Sequence, residues 1–230
     1  MKVQIYAEDI HCEAFAVLAR KAIMQAQPGA SDAPVVSAVR RKIHEMQREM
    51  LTLVRGAYQD GYRRIIFAVD RESEQSRERL ELVAQVCRAF AQLCRELPDH
   101  QDLAGVRIAL VVADRCLESW LLADVDGLID YARGPRGLHR FTGASFRSGR
   151  TEDADRPDQR IGALFGEVAR DTSSRTKRCE KSSLKAIAQF VDPERAQGHN
   201  RSLAYFVEMV TGWGDGCDHP YQREQCSHAG

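Results

Sequence analysis

The chain has 230 residues, with 33 Lys and Arg against 33 Asp and Glu, so its formal net charge at pH 7 is zero. That excludes a polycationic tail or an acidic coat as the organising feature, and any electrostatic footprint is local. No apolar run approaches the roughly 18 residues of a membrane span, and the opening MKVQIYAED places charges where a secretory leader needs apolar length. A cytoplasmic protein without a membrane partner is expected, and its seven cysteines read as reduced thiols.

Short apolar runs alternate with long helical patterns over the first 130 residues, which predicts an α/β fold with a mainly parallel sheet flanked by helices. Residues 3–7 read as a first strand. Phe15, Leu18, Ala22 and Met24 place a helix over residues 11–25, ending before Pro28-Gly29. Ile43, Met46, Met50, Leu53 and Ala57 step by three and four, predicting a second helix over residues 36–58 that Asp60-Gly61 stops. Residues 65–69, Ile-Ile-Phe-Ala-Val, form an unbroken apolar run, as in a strand covered on both faces. Leu80, Val83, Cys87, Phe90, Cys94 and Leu97 repeat at helical spacing up to Pro98-Asp99. Residues 106–113 read as the next strand, and the second half of residues 114–124 as a helix. Beyond residue 130 glycines break the pattern, and weaker helices follow over residues 161–169, 182–190 and 201–209. The expected organisation is an α/β domain over residues 1–130, a smaller, basic, mainly helical region over 131–211 and an irregular tail over 212–230.

In a parallel sheet the ligand site lies outside the carboxyl ends of the strands, so acids just after strands converge from distant parts of the chain. Glu8 and Asp9 follow the first strand, Asp70 and Glu72 the 65–69 strand, and Asp114 and Glu118 the third. Such a set suits Mg2+ or Mn2+, which take oxygen ligands. The same placements also suit helix caps and loop acids. Trp120, Leu121 and Leu122 read as the buried face of a helix.

Strand, Glu, helix and then a buried strand ending in Asp-x-Glu resembles the TOPRIM domain of topoisomerases, primases and OLD-family nucleases. Ala-Asp-Arg-x-Leu-Glu-x-Trp-Leu-Leu-Ala-Asp, at residues 113–124, resembles the signature of small bacterial TOPRIM-like proteins of phage-defence context. The resemblance covers roughly residues 1 to 130, with Asp9-Ile10 where the family has glycine and Asp-x-Glu where Asp-x-Asp is commoner. It implies metal ligation by Glu8, Asp70 and Glu72, with Glu118 and Asp124 as the later acids of the set. It also implies that a separate ATPase acts as partner, since neither a Walker loop nor a Gly-x-Ser-x-Gly elbow occurs in this chain.

Arg133, Arg136, Arg140, Arg147 and Arg150 form an acid-free series interleaved with His139, Phe141 and Phe146, the makeup of a surface that contacts phosphates and stacks bases. Arg175 and Lys177 open a second basic cluster, within which Lys181 is the candidate transition-state cation. Cys217, His219, Cys226 and His228 supply zinc-ligand residue types, but their spacing departs from that of structural zinc sites. The expectation is therefore a metal-dependent endonuclease acting on DNA or RNA. The rival is a non-catalytic module that binds nucleic acid or protein around a structural or regulatory ion. Sequence leaves the oligomeric state open, a homo-oligomer included.

Overall fold

The structure, a computed structural model, describes the chain except residues 9–11, 31, 72–76, 114–115, 135–140, 148, 173–176, 178, 213–215, 218 and 229–230 and the side chains of 152, 181 and 225–228. Four strands, β1 (Lys2–Ala7), β2 (Val35–Arg40), β3 (Arg64–Asp70) and β4 (Arg107–Ala113), form one sheet of order β2-β1-β3-β4. Every pair is parallel, with Ala7 opposite Arg40 and Ala68, and Asp70 opposite Ala113.

Strand alternation sorts the core into two layers. Val3, Ile5, Ile66, Ala68, Ala109 and Val111 face α1 (Cys12–Ala26), while Ile65, Phe67, Val69, Ile108 and Leu110 face α2 (Ile43–Gln59) and α3 (Arg77–Glu96). Both faces are covered, which is why residues 65–69 and 108–113 read as continuous apolar runs. After α4 (Leu117–Leu122), α5 (Val125–Arg133) and α6 (Pro157–Thr172), the chain forms α7 (Leu184–Ala188), α8 (Pro193–Ala196), α9 (Arg201–Thr211) and α10 (Pro220–His228). Leu164, Phe165, Ile187 and Phe206 share one core with Val3 and Phe15, so the helices beyond residue 130 build on the α1 side of the sheet. Trp120 is fully buried, edge-on to Phe15, and its Nε1–H donates to Ser202 Oγ at 2.7 Å.

Four expectations are corrected. Residues 36–58 are not one helix: Val35–Arg40 forms β2, and α2 starts only at Ile43, where the Lys42 backbone N–H donates to the Glu45 carboxylate at 3.1 Å. The β-branched Val35, Val36 and Val39 favour extension, and pairing with β1 settles it. Residues 182–190 shorten to the single turn of α7. The tail is not irregular, since it carries α10. Nor are all cysteines thiols: Cys94 at the end of α3 is bonded to Cys217, closing 123 positions of chain.

Among the described residues no helix is long and apolar enough to cross a membrane.

Candidate functional site

The chain leaves β1 through α1 to β2 on one side, then returns through α2 to β3 on the other. Loops leaving β1 and β3 therefore diverge to opposite faces, opening the crevice where ligands bind in doubly wound sheets. Glu8 and Asp70 stand at this point. The Glu8 backbone N–H extends the ladder by donating to Ala68 O at 3.0 Å, and the Arg71 N–H does the same to Ala113 O at 3.0 Å. Asp70 is the last residue of β3 and is half-buried.

Between them lies Arg79, from the first turn of α3. Its Nη1 and Nη2 donate to the two Glu8 carboxylate oxygens at 2.6 and 2.5 Å, and its Nε donates to the Asp70 carbonyl at 3.1 Å, with Nη2 reaching the same oxygen. The pair is largely enclosed, the Arg79 side chain 10% and the Glu8 side chain 21% exposed. Removing one partner of such a pair costs about 3–5 kcal/mol, because the other charge stays uncompensated. Arg79 went unread in the sequence, yet it falls four and seven residues before Val83 and Val86 on the buried stripe of α3. A charge on an apolar stripe needs a buried partner, and that was the available signal.

Beside this cluster Cys116 caps the start of α4. Burial pushes its thiol up, the Glu118 charge and the hydrogen bond that the thiol donates to that carboxylate add to the effect, and the Asp70 charge adds less. Cys179 is pushed up to about 12 by burial and then by Glu118 and Asp158.

Asp124 lies elsewhere and is spent structurally. It is buried at the N-terminus of α5, where its carboxylate accepts from Gly127 N (3.2 Å), Asp192 N (2.7 Å) and the Arg195 guanidinium (2.8 and 3.2 Å). Each of its oxygens already accepts two hydrogen bonds, so in place of the expected ligand role Asp124 serves as a helix cap. The arrangement requires glycine at 127, where a Cβ would lie 2.5 Å from Phe190 O. Arg195, also unread in the sequence, ties α8 to this cap.

Among the described residues, Arg133, Arg147 and Lys177 of the basic series are committed to neighbours. Arg147 grips both oxygens of Asp126 at 2.5 and 2.9 Å. Arg133, the last residue of α5, lies 3.6 Å from Asp130. Lys177 donates to Tyr131 O in the last turn of α5 and sits 4.1 Å over the Tyr131 ring. Arg150 is exposed. Arg147 and Arg195 line a cleft of about 290 Å³ with Asp124, Asp126, Phe146 and His199, away from the Glu8–Asp70 rim, and its charges are matched internally. Glu72, Asp114, Arg136, Arg140 and Arg175 lie outside the described residues, as does the side chain of Lys181.

Cys217 is consumed by the disulfide, and His219 Nε2 lies 3.1 Å from Glu208. Cys217 is therefore not a thiolate ligand, and the Cys226 and His228 side chains lie outside the described residues. Among the described residues no three His, Cys, Asp or Glu side chains converge as a metal group. The rim nevertheless fits a hard cation in its donor chemistry: the Glu8 carboxylate and Asp70 carbonyl already converge on one, the Arg79 guanidinium.

No protein-family model, curated protein or solved structure matches this chain.

Proposed function

We propose that the rim formed by β1, β3 and α4 is the active site of a metal-dependent endonuclease with a TOPRIM-like plan. The supporting observation is that the Glu8 carboxylate and the Asp70 main-chain carbonyl, 62 residues apart in number, are held by one guanidinium, Arg79, at the strand-order switch of a parallel sheet. In this reading Asp70 and Glu72 hold Mg2+ or Mn2+, with Glu8 and Glu118 at its flanks. When bound, the ion supplies Lewis acidity and activates water for attack on phosphorus. The chain's own carboxylates fix the position of that charge, and exposed Arg150 with the neighbouring basic residues steers the polyanion. Lys181 is the proposed cation against the developing negative charge. A separate ATPase is the proposed partner, in anti-phage defence.

A second reading, a non-catalytic binding module, is favoured by one feature: Arg79, Arg147, Arg195 and Lys177 all spend their charge inside the protein. The two readings part in one assay. Plasmid, single-stranded DNA and total RNA are incubated with the protein and its partner ATPase, with Mg2+, Mn2+ or chelator, beside Asp70→Asn. The nuclease reading expects metal-dependent cleavage that falls on the order of 100-fold in the variant. Cleavage of no substrate, or cleavage untouched by Asp70→Asn, contradicts it.

A further inference from the structure

A cation already occupies the rim, and it belongs to the protein. The Arg79 guanidinium takes both oxygens of Glu8 and the Asp70 carbonyl through four hydrogen bonds, the two to Glu8 in the fork geometry that suits a carboxylate. Its side chain is only 10% exposed, so solvent screens its charge weakly. A divalent ion brought against Glu8 would meet a fixed positive charge a few ångströms away, in a setting where like charges repel strongly.

We propose that Arg79 is a resident counter-ion that closes the rim to metal: guanidinium and divalent cation compete for Glu8, and loading the site displaces Arg79 from that carboxylate. This rests on the reading of the rim as a metal site. Arg79 belongs to the first turn of α3, so its release couples ion binding to the start of that helix. A polyanion offers the displaced guanidinium a new partner, since phosphate and carboxylate match the same fork. Metal and nucleic acid then favour each other's binding, as linkage requires of two ligands that select the same open state.

Arg79 has a signature that a purely structural arginine lacks. Loss of a structural residue can only weaken a nearby site, whereas loss of a competing cation strengthens it. Mn2+ is titrated into wild type and Arg79→Met by isothermal calorimetry, with Arg79→Lys beside them and folding checked by circular dichroism. The expected result is Mn2+ affinity on the order of tenfold higher in Arg79→Met, the scale on which one adjacent charge shifts a neighbouring equilibrium. Affinity equal to or below wild type in a folded Arg79→Met overturns the lock and leaves the metal reading standing. Absence of Mn2+ binding in all three proteins overturns the metal reading, and the lock with it. In the unmodified protein, Mg2+ should move the Arg79 Nε–H resonance as the fork opens. A resonance unmoved at saturating Mg2+ refutes displacement whether or not the variants fold.

Discussion

Arg79 and Glu8, 71 positions apart in the chain, are joined by two parallel hydrogen bonds at the carboxyl ends of β1 and β3. The pair fastens the start of α3 to the rim of the sheet. The same guanidinium also takes the Asp70 main-chain carbonyl.

Enclosure sets the size of that fastening. Arg79→Ala should lower the unfolding free energy by about 3–5 kcal/mol, since Glu8 is then left without its partner. Glu8→Ala should cost a similar amount, and the double variant less than the sum. Urea unfolding of the four proteins measures the coupling; additive losses would show that the fork contributes nothing.

Arg147 and Asp126 pair at the surface, their side chains 43% and 51% exposed, so the pair contributes under about 1 kcal/mol. The hydrogen bond from Arg147 holds the Asp126 carboxyl below its usual range. A depressed carboxyl stabilises the fold above the unfolded pKa of roughly 3.9, and that contribution disappears as pH falls through the folded value. Wild type and Arg147→Ala should therefore differ slightly at pH 7 and converge below the folded pKa, in urea midpoints followed at low salt. A difference that persists in acid would exclude the pair as its source.

The Cys94–Cys217 bond closes most of the chain into one loop and tethers the segment leading to α10. Long loops gain most from closure, so reduction should remove about 2–4 kcal/mol of stability. Cys217→Ser should reproduce the effect without reductant. Equal urea midpoints with and without dithiothreitol would deny the bond a structural role.

Burial and the Glu118 carboxylate hold the Cys116 and Cys179 thiols far above their ordinary pKa, Cys179 at about 12. Only the thiolate is nucleophilic, so both should alkylate with iodoacetamide at pH 8 at least about 100-fold more slowly in the native than in the urea-unfolded protein. Peptide mapping by mass spectrometry reads each rate. Rapid native labelling of Cys179 would contradict the geometry around Glu118.

Buried parallel strands were plain in the sequence because two-sided burial makes residues 65–69 and 108–113 continuously apolar, and the carboxyl ends of the strands over residues 3–7 and 65–69 located Glu8 and Asp70. β2 escaped because it is an edge: only Val36 among its residues is buried, so no run formed, and its valines merged with the pattern of α2. Asp124 looked like a late acid of the metal set until its partners Arg195 and the Asp192 amide, about seventy residues on, were in view. Long-range pairing also hid the Cys94–Cys217 bond and the role of Arg79. Local periodicity records which face is buried, not which distant charge meets it there.

Crystals soaked in Mn2+ and measured at the manganese absorption edge test the central claim most directly. The account predicts an anomalous peak within about 2.0–2.4 Å of an Asp70 carboxylate oxygen, with Arg79 withdrawn from Glu8. A peak on a different part of the surface, or none at saturating Mn2+ with the Arg79–Glu8 fork intact, would contradict it.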